Sequence, residues 1–285
     1  MDKNKNKDKS KKANIKSALR YPGGKSRAIK YILPMIKKVS FTEYREPFIG
    51  GGSVFLSVKQ NIGNIDKFWI NDINYDLYCF WKILKNKPDE LCCAIMNIKN
   101  SWENGRELYN YYMQDTNYTE FERAVRFFVL NRITFSGTVD SGGYSEQAFK
   151  KRFTISSIER MKKMSSLLTD DVIITNYDYE KVIFKNADDN HVFIFLDPPY
   201  FKSRKSRLYG KNGHLHQTFD HERFAKNMKK CKYKWLITYD DSPEIRELFD
   251  FANIKEYSLQ YGMNNYKQKK AEKGKELFIF NYSIE

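Results

Sequence analysis

Asp197-Pro198-Pro199-Tyr200 is the group of residues whose types and order most directly suggest chemistry, and it follows the apolar run Val192–Leu196 without a break. A strand end in an open α/β sheet is where ligands bind. Two successive prolines fix the backbone and cannot continue the strand. They leave the Asp197 carboxylate and the Pro198 carbonyl as acceptors with no adjacent N–H to satisfy them. Tyr200 adds a flat face. Two rigid acceptors beside an aromatic plate form a receptor for an exocyclic amine on a planar base; a rigid turn at the sheet edge is the plainer alternative.

A second group is Glu46-Pro47-Phe48-Ile49-Gly50-Gly51-Gly52-Ser53. Glycines after a strand let the backbone approach a ligand closely, and Ser53 can cap the helix that follows. The dinucleotide fingerprint G-x-G-x-x-G fails at Phe55, whereas Asp72, twenty residues beyond Gly52, can take ribose hydroxyls. A nucleoside without a pyrophosphate therefore fits better than NAD. Tyr21-Pro22-Gly23-Gly24-Lys25-Ser26 imitates the end of a P-loop, but Leu19 stands where its first glycine should be. Its cation and aromatic ring suit a carboxylate and an apolar group instead. His214, His216 and His221 have no cysteine companion and read as loop histidines, so no metal is expected.

Elements must bring these groups together. Helical spacing at Ile29, Ile32, Leu33 and Ile36 follows the Pro22-Gly23-Gly24 turn, and short apolar runs at 67–70, 172–175, 192–196 and 235–239 read as strands. The runs at 172–175 and 192–196 are continuously apolar, as expected of strands buried on both faces of a parallel sheet. Segments around 254–261 and 276–284 can close the sheet as a hairpin. Residues 77–168, rich in aromatic and basic side chains and mainly helical in pattern, interrupt this rhythm as one long insertion.

The 285 residues carry 50 Lys+Arg against 35 Asp+Glu, a formal net charge of +15, which suggests a polyanionic partner. Residues 1–16 hold seven lysines and two aspartates and read as a disordered basic arm. With 41% hydrophobic and 16% aromatic residues the remainder can build a core. No apolar run approaches the roughly 18 residues a membrane span needs, and the basic N-terminus has no apolar segment behind it to make a secretory signal. Cys79, Cys92, Cys93 and Cys231 show no CxxC spacing, which points to a reduced, cytoplasmic setting.

The order of these motifs resembles the Dam-like, or D12 class, DNA adenine-N6 methyltransferases, over about residues 17–283. RYPGGKS resembles the family's N-terminal motif, EPFIGGGSVFL its F-x-G-x-G motif, NDIN its second acidic motif, and LDPPY its catalytic motif. Asn176-Tyr177-Asp178-Tyr179 resembles the segment whose acid binds the cofactor adenine. The resemblance implies an α/β fold: a Rossmann-like open sheet of the methyltransferase type with a smaller, mainly helical target-recognition domain inserted. Residues 17–76 and 169–285 would form the cofactor-binding catalytic domain and 77–168 the recognition domain. S-adenosylmethionine would be the cofactor, held by Tyr21, Lys25, Pro47, Phe48, Gly50, Gly52, Ser53, Asp72, Asp178, Tyr179 and Asp197. Asp197, Pro198, Pro199 and Tyr200 would be catalytic, acting on an adenine flipped out of double-stranded DNA.

Five basic residues in 201–213, among them Lys202, Arg204, Lys205 and Arg207, suit phosphate contact beside such a pocket. Within the insertion, Arg132, Ser136, Thr138, Tyr144, Lys150, Lys151 and Arg152 fall in segments that resemble the family's recognition hairpin, a place for base-edge contacts. The hairpin departs from the form found in GATC methylases, so the recognition sequence stays open. A cognate restriction endonuclease is a further partner the resemblance allows, and a bacterial, archaeal or phage origin with a place at the nucleoid goes with it. Methylation of cytosine N4 or of RNA, and a catalytically silent DNA-binding module, are the rival readings. By resemblance, Asp rather than Ser before Pro-Pro-Tyr argues for adenine, and the intact Asp197, Asp72, Gly50 and Gly52 argue against silence.

Overall fold

The computed structural model describes residues 14–114, 116–139, 141–189, 191–201, 219–260 and 273–284. Its centre is a mixed sheet of seven strands: β1 (Glu43–Glu46), β2 (Lys67–Asn71), β3 (Val172–Thr175), β4 (Val192–Leu196), β5 (Lys234–Asp240), β6 (Asn253–Gln260) and β7 (Lys273–Phe280). Their order across the sheet is β3-β2-β1-β4-β5-β7-β6, with β1 to β5 parallel and β7 antiparallel to both its neighbours. This is the Rossmann-like α/β sheet expected. The expected C-terminal hairpin forms, but its second strand, β7, lies between β5 and β6.

Side-chain alternation divides the interior into two layers. Val192, Ile194 and Leu196 of β4 join Trp235, Ile237 and Tyr239 of β5 and Leu277 and Ile279 of β7 on one face. Phe193, Phe195, Leu236, Phe278 and Phe280 point to the other. Every residue of β4 is buried, as its unbroken apolar run requires. β3 departs from that expectation: it lies at the sheet edge with Ile173 exposed, because only β2 pairs with it.

Helix α1 (Ile29–Ile36) follows the Pro22-Gly23 turn, and α2 (Ser53–Asn61) crosses from β1 to β2. Ser53 does not cap α2: the cap position belongs to Gly52, whose φ of 70° turns the chain straight into the helix. Between β2 and β3 come α3 (Tyr75–Asn86), α4 (Pro88–Ser101), α5 (Gly105–Met113), α6 (Glu120–Ile133), α7 (Glu146–Arg152) and α8 (Ile155–Ser165). Asn74 caps α3 by accepting from Leu77 N–H, and a Thr119–Glu122 capping box starts α6. Phe80 of α3 packs on Phe127 and Phe128 of α6, and these rings share one apolar cluster with Phe68 and Ile70 of β2. Thr134 and Tyr144 form a single antiparallel bridge that closes the hairpin between α6 and α7. Helix α9 (Tyr179–Phe184), helices His221–Lys230 and Pro243–Leu248, and the short 3-10 turns Lys25–Arg27 and Phe135–Gly137 complete the described elements. No helix among the described residues is long and apolar enough to cross a membrane. Residues 1–13 of the basic arm lie outside the described residues, whereas Ile15 exchanges backbone hydrogen bonds with the Gln60 amide of α2.

Candidate functional site

Because β1 to β5 run parallel, their C-terminal ends share one edge of the sheet, and the crevice opens where the chain order reverses between β1 and β4. A cleft of about 490 Å³ lies there. All the cofactor candidates (Tyr21, Lys25, Pro47, Phe48, Gly50, Gly52, Ser53, Asp72, Asp178, Tyr179 and Asp197) border it, as do Pro198, Pro199 and Tyr200. The fold thus gathers segments more than 150 positions apart into one wall. Among the described residues no group of three or more His, Cys, Asp or Glu is arranged to hold a metal.

The glycine turn is built by close approach. Gly50 has φ 47°, and a Cβ there would lie 2.8 Å from the Tyr21 ring; at Gly52 it would lie 2.5 Å from the Trp81 ring. The Trp81 indole donates to the Gly50 carbonyl at 3.1 Å. Asp72, just past β2, accepts from Gly50 N–H at 3.0 Å and from Asn74 N–H at 3.0 Å. Burial pushes its carboxyl up to about 6, against the pull of the Asn74, Gly50 and Ile73 amides. Asn71 ties three strand ends together: its amide nitrogen donates to the carbonyls of Pro47 and Tyr177, and its oxygen accepts from the Thr175 hydroxyl and from Tyr177 N–H.

At the other end stands Asp197. Its Oδ1 accepts from the Lys25 ammonium at 2.8 Å and from the Thr238 hydroxyl of β5 at 2.8 Å. The Lys25 Nζ also donates to the Gly23 carbonyl and lies 4.7 Å from the centre of the Tyr200 ring. Tyr200 donates to Glu276 Oε2 at 3.1 Å, and Asp240 receives Phe201 N–H at 3.0 Å. Glu46, at the end of β1, accepts from the Tyr44 hydroxyl at 2.6 Å. Burial, and to a lesser degree the nearby Asp197 charge, holds the Glu46 carboxyl above the usual range, against the pull of the Tyr44 hydroxyl, and Glu46 borders the cleft.

The far wall is aromatic. Phe48 stacks on Tyr179 with centroids 5.6 Å apart, and Phe219 lies edge-on to Phe48 at 5.8 Å. Asp178 caps α9 through Glu180 N–H and meets the Arg223 guanidinium at 3.4 Å. Arg223 bonds Glu180 at 2.6 Å and lies over the Tyr179 ring.

The residues selected for DNA contact are distributed differently. Ser136 is exposed beside exposed Phe135, and Lys150, Lys151 and Arg152 are exposed on the last turn of α7. Thr138 and Tyr144 are buried: the Thr138 hydroxyl donates to the Phe135 carbonyl, and Tyr144 donates to Glu146. Arg132 also points inward, since its guanidinium donates to the carbonyls of Ala18 at 2.7 Å and Arg152 at 2.9 Å. A buried cation fits there because it satisfies both carbonyls. Lys202, Arg204, Lys205, Arg207, His214 and His216 lie outside the described residues. His221 is buried and bonds the Tyr239 hydroxyl.

Glu46 opens the glycine-turn group, but the sequence assigns no site role to it, nor to Thr238, Phe219, Arg223 or Glu276. A carboxylate opening an apolar run marks Glu276, and Glu46 directly precedes Pro47. Arg223 carries no such signal, since it belongs to an ordinary polar helix face.

Comparison with known proteins bears on this cleft. The family model for D12 class N6 adenine-specific DNA methyltransferases matches residues 21–263. A type II methyltransferase of Lactococcus lactis subsp. cremoris is 25% identical over 295 residues, covering 95% of this chain and 97% of its own. One from Methanocaldococcus jannaschii is 26% identical, covering 94% and 99%, and the DNA adenine methylase of Haemophilus influenzae is 26% identical, covering 82% and 83%. With the model spanning most of the chain and the cleft bordered by the motifs that suggested it, the protein belongs to the D12 class N6 adenine-specific DNA methyltransferase family.

Proposed function

We propose that this adenine-N6 DNA methyltransferase acts on a base flipped out of double-stranded DNA into the cleft at Asp197–Tyr200. The observation that carries the reading is the convergence of Asp197, Pro198 and Tyr200 with the glycine turn and Lys25 in one cleft. S-adenosylmethionine is the cofactor, and when bound it supplies an electrophilic methyl group. The cleft suits it: the volume is that of a small-molecule site, with a cation at one end, a carboxylate at mid-length and aromatic rings at the other. Lys25 pairs with the carboxylate of its methionine part, Asp72 accepts its ribose hydroxyls, and Phe48, Tyr179 and Asp178 receive its adenine.

The amino nitrogen of adenine is conjugated with the ring and is a poor nucleophile. Asp197 and the Pro198 carbonyl accept its hydrogens, favouring a pyramidal nitrogen with a freed lone pair. Tyr200 stacks on the base and fixes its orientation, so proximity contributes to the rate. The base cannot reach these groups inside a duplex, hence the flip.

Residues 77–168 serve target recognition, 17–76 and 169–285 hold the cofactor and perform the transfer, and the basic arm adds salt-sensitive affinity. Exposed Ser136, Lys150, Lys151 and Arg152 contact DNA, as do the basic residues after Tyr200. The type II names of two relatives support a cognate restriction endonuclease as partner, and DNA as substrate supports a place at the nucleoid in the cytoplasm. The test is to incubate the protein with labelled S-adenosylmethionine and duplex DNA, digest the DNA and identify the product. N6-methyl-2′-deoxyadenosine from the duplex is expected; product only at cytosine, only in single strands, or none would overturn the reading.

A further inference from the structure

Tyr200 is held at two points. Its backbone follows Pro198 and Pro199, and its hydroxyl donates to Glu276 Oε2 at 3.1 Å. Glu276 is itself nearly inaccessible, at 2% exposure, and sits on β7 opposite Asp240 of β5 and Tyr257 of β6. The Tyr257 hydroxyl donates to the same Oε2. Tyr257 is fixed in turn, stacked on Phe278 at 4.0 Å and 11°. A carboxylate this buried is costly to place in a sheet unless its acceptors are used, and here two phenols use one of them. The cluster is therefore more than sheet packing: it joins the antiparallel end of the sheet to the rim of the cleft. On the cleft side the Tyr200 ring is approached by Lys25, whose ammonium also pairs with Asp197.

We propose that Glu276 is a positioning residue for methyl transfer, fixing the Tyr200 ring by its hydroxyl so that the ring face is preset for the target adenine. This rests on the reading of Tyr200 as the plate on which that base stacks. A phenol anchored at both ends loses little further freedom when a base stacks on it, whereas a ring free to change rotamer must be ordered in each turnover. Glu276 touches neither base nor cofactor in this role and acts only through Tyr200.

The test compares single-turnover methylation of plasmid DNA, cofactor affinity and melting temperature for Glu276→Gln, Glu276→Ala, Tyr200→Phe, Tyr257→Phe, Tyr200→Ala, and the Glu276→Ala/Tyr200→Phe and Glu276→Ala/Tyr257→Phe pairs. Tyr200→Phe and Glu276→Ala should each slow transfer about tenfold, the double variant no more than either, and Glu276→Gln should recover most of the rate because its amide oxygen still accepts. Cofactor affinity should stay within about twofold, since the hydroxyl anchor lies away from the groups that hold the cofactor. A wild-type rate for Tyr200→Phe overturns the proposal even if Glu276→Ala fails to fold. So does additivity between Glu276→Ala and Tyr200→Phe, or non-additivity with Tyr257→Phe alone, which would make Glu276 a sheet residue. Tyr200→Ala separates the two levels: if it transfers at the wild-type rate, the stacking reading itself fails; if it is impaired while the Glu276 variants are normal, only the positioning role fails.

Discussion

The Lys25 ammonium lies 2.8 Å from Asp197 Oδ1, joining the turn at the start of the chain to the carboxylate at the end of β4. Thr238 donates to that same oxygen. With Oδ1 held by two donors, Oδ2 is the oxygen turned to an incoming amino group in the proposed reaction. Lys25 also reaches the Tyr200 ring, so one cation touches both the carboxylate and the aromatic plate of the proposed site.

Replacing Asp197 by alanine is expected to lower methyl transfer by roughly a thousandfold or more, as loss of a transition-state contact does. Cofactor affinity should fall by no more than about tenfold, because the glycine turn, Asp72 and the aromatic wall remain. Rapid-quench turnover and equilibrium titration with S-adenosylmethionine check the two halves; unchanged turnover would remove Asp197 from its role.

Asp72 supplies a pH test. Its folded pKa of about 6 lies above the ordinary 3.8, so folding favours the neutral form. That stabilisation is complete below pH 3.8 and is lost as pH rises through about 6. Cofactor affinity should move oppositely, rising through about pH 6 as the carboxylate ionises to accept ribose hydroxyls. Calorimetric titration between pH 5 and 8 should show this rise, and Asp72→Asn should flatten it while weakening binding about tenfold. A flat wild-type profile would count against the ribose role.

Gly50 tolerates no side chain. Alanine there must hold φ near 47° and push a Cβ to 2.8 Å from the Tyr21 ring. We expect a loss of about 1–2 kcal/mol in stability, together with weakened cofactor binding. Thermal melting and titration of Gly50→Ala check both; wild-type affinity would show that the turn does not shape the cleft.

Arg132 separates stability from DNA contact. Arg132→Ala strands the buried carbonyl of Ala18 and gives up the part-buried bond to the Arg152 carbonyl, and should cost about 1–3 kcal/mol. The folded fraction should keep its DNA affinity. Lys151→Ala should do the reverse: melting unchanged, and the dependence of DNA affinity on salt reduced by about one ion. Filter binding across a salt series with parallel melts would expose an exchange of these roles.

Much of this was readable from residues alone. Period-two alternation sorts Phe193 and Phe195 from Ile194 and Leu196, and the continuous apolar run announces β4 as a central strand. The same pattern misled at β3: Val-Ile-Ile-Thr is as apolar as a central strand, but β3 is an edge strand, and the face that carries Ile173 is left uncovered while Val172 on the other is buried. Likewise Arg132 looks like any basic residue in a recognition segment. Its direction depends on whether α6 turns it toward solvent or toward the Ala18 carbonyl, which no local spacing reveals.

The sequence by itself determined the chemistry at each strand end: an acid before two prolines, glycines where the chain must turn with positive φ, an acid after β2. These depend on neighbours along the chain, where backbone geometry is local. Tertiary structure alone decided which groups meet. Lys25 reaches Asp197 only because the parallel strands share one edge, and Glu276 reaches Tyr200 only because β7 enters between β5 and β6. Long-range contacts are set by the order in which strands pair to bury their faces, and that order is a property of the whole sheet rather than of any segment in it.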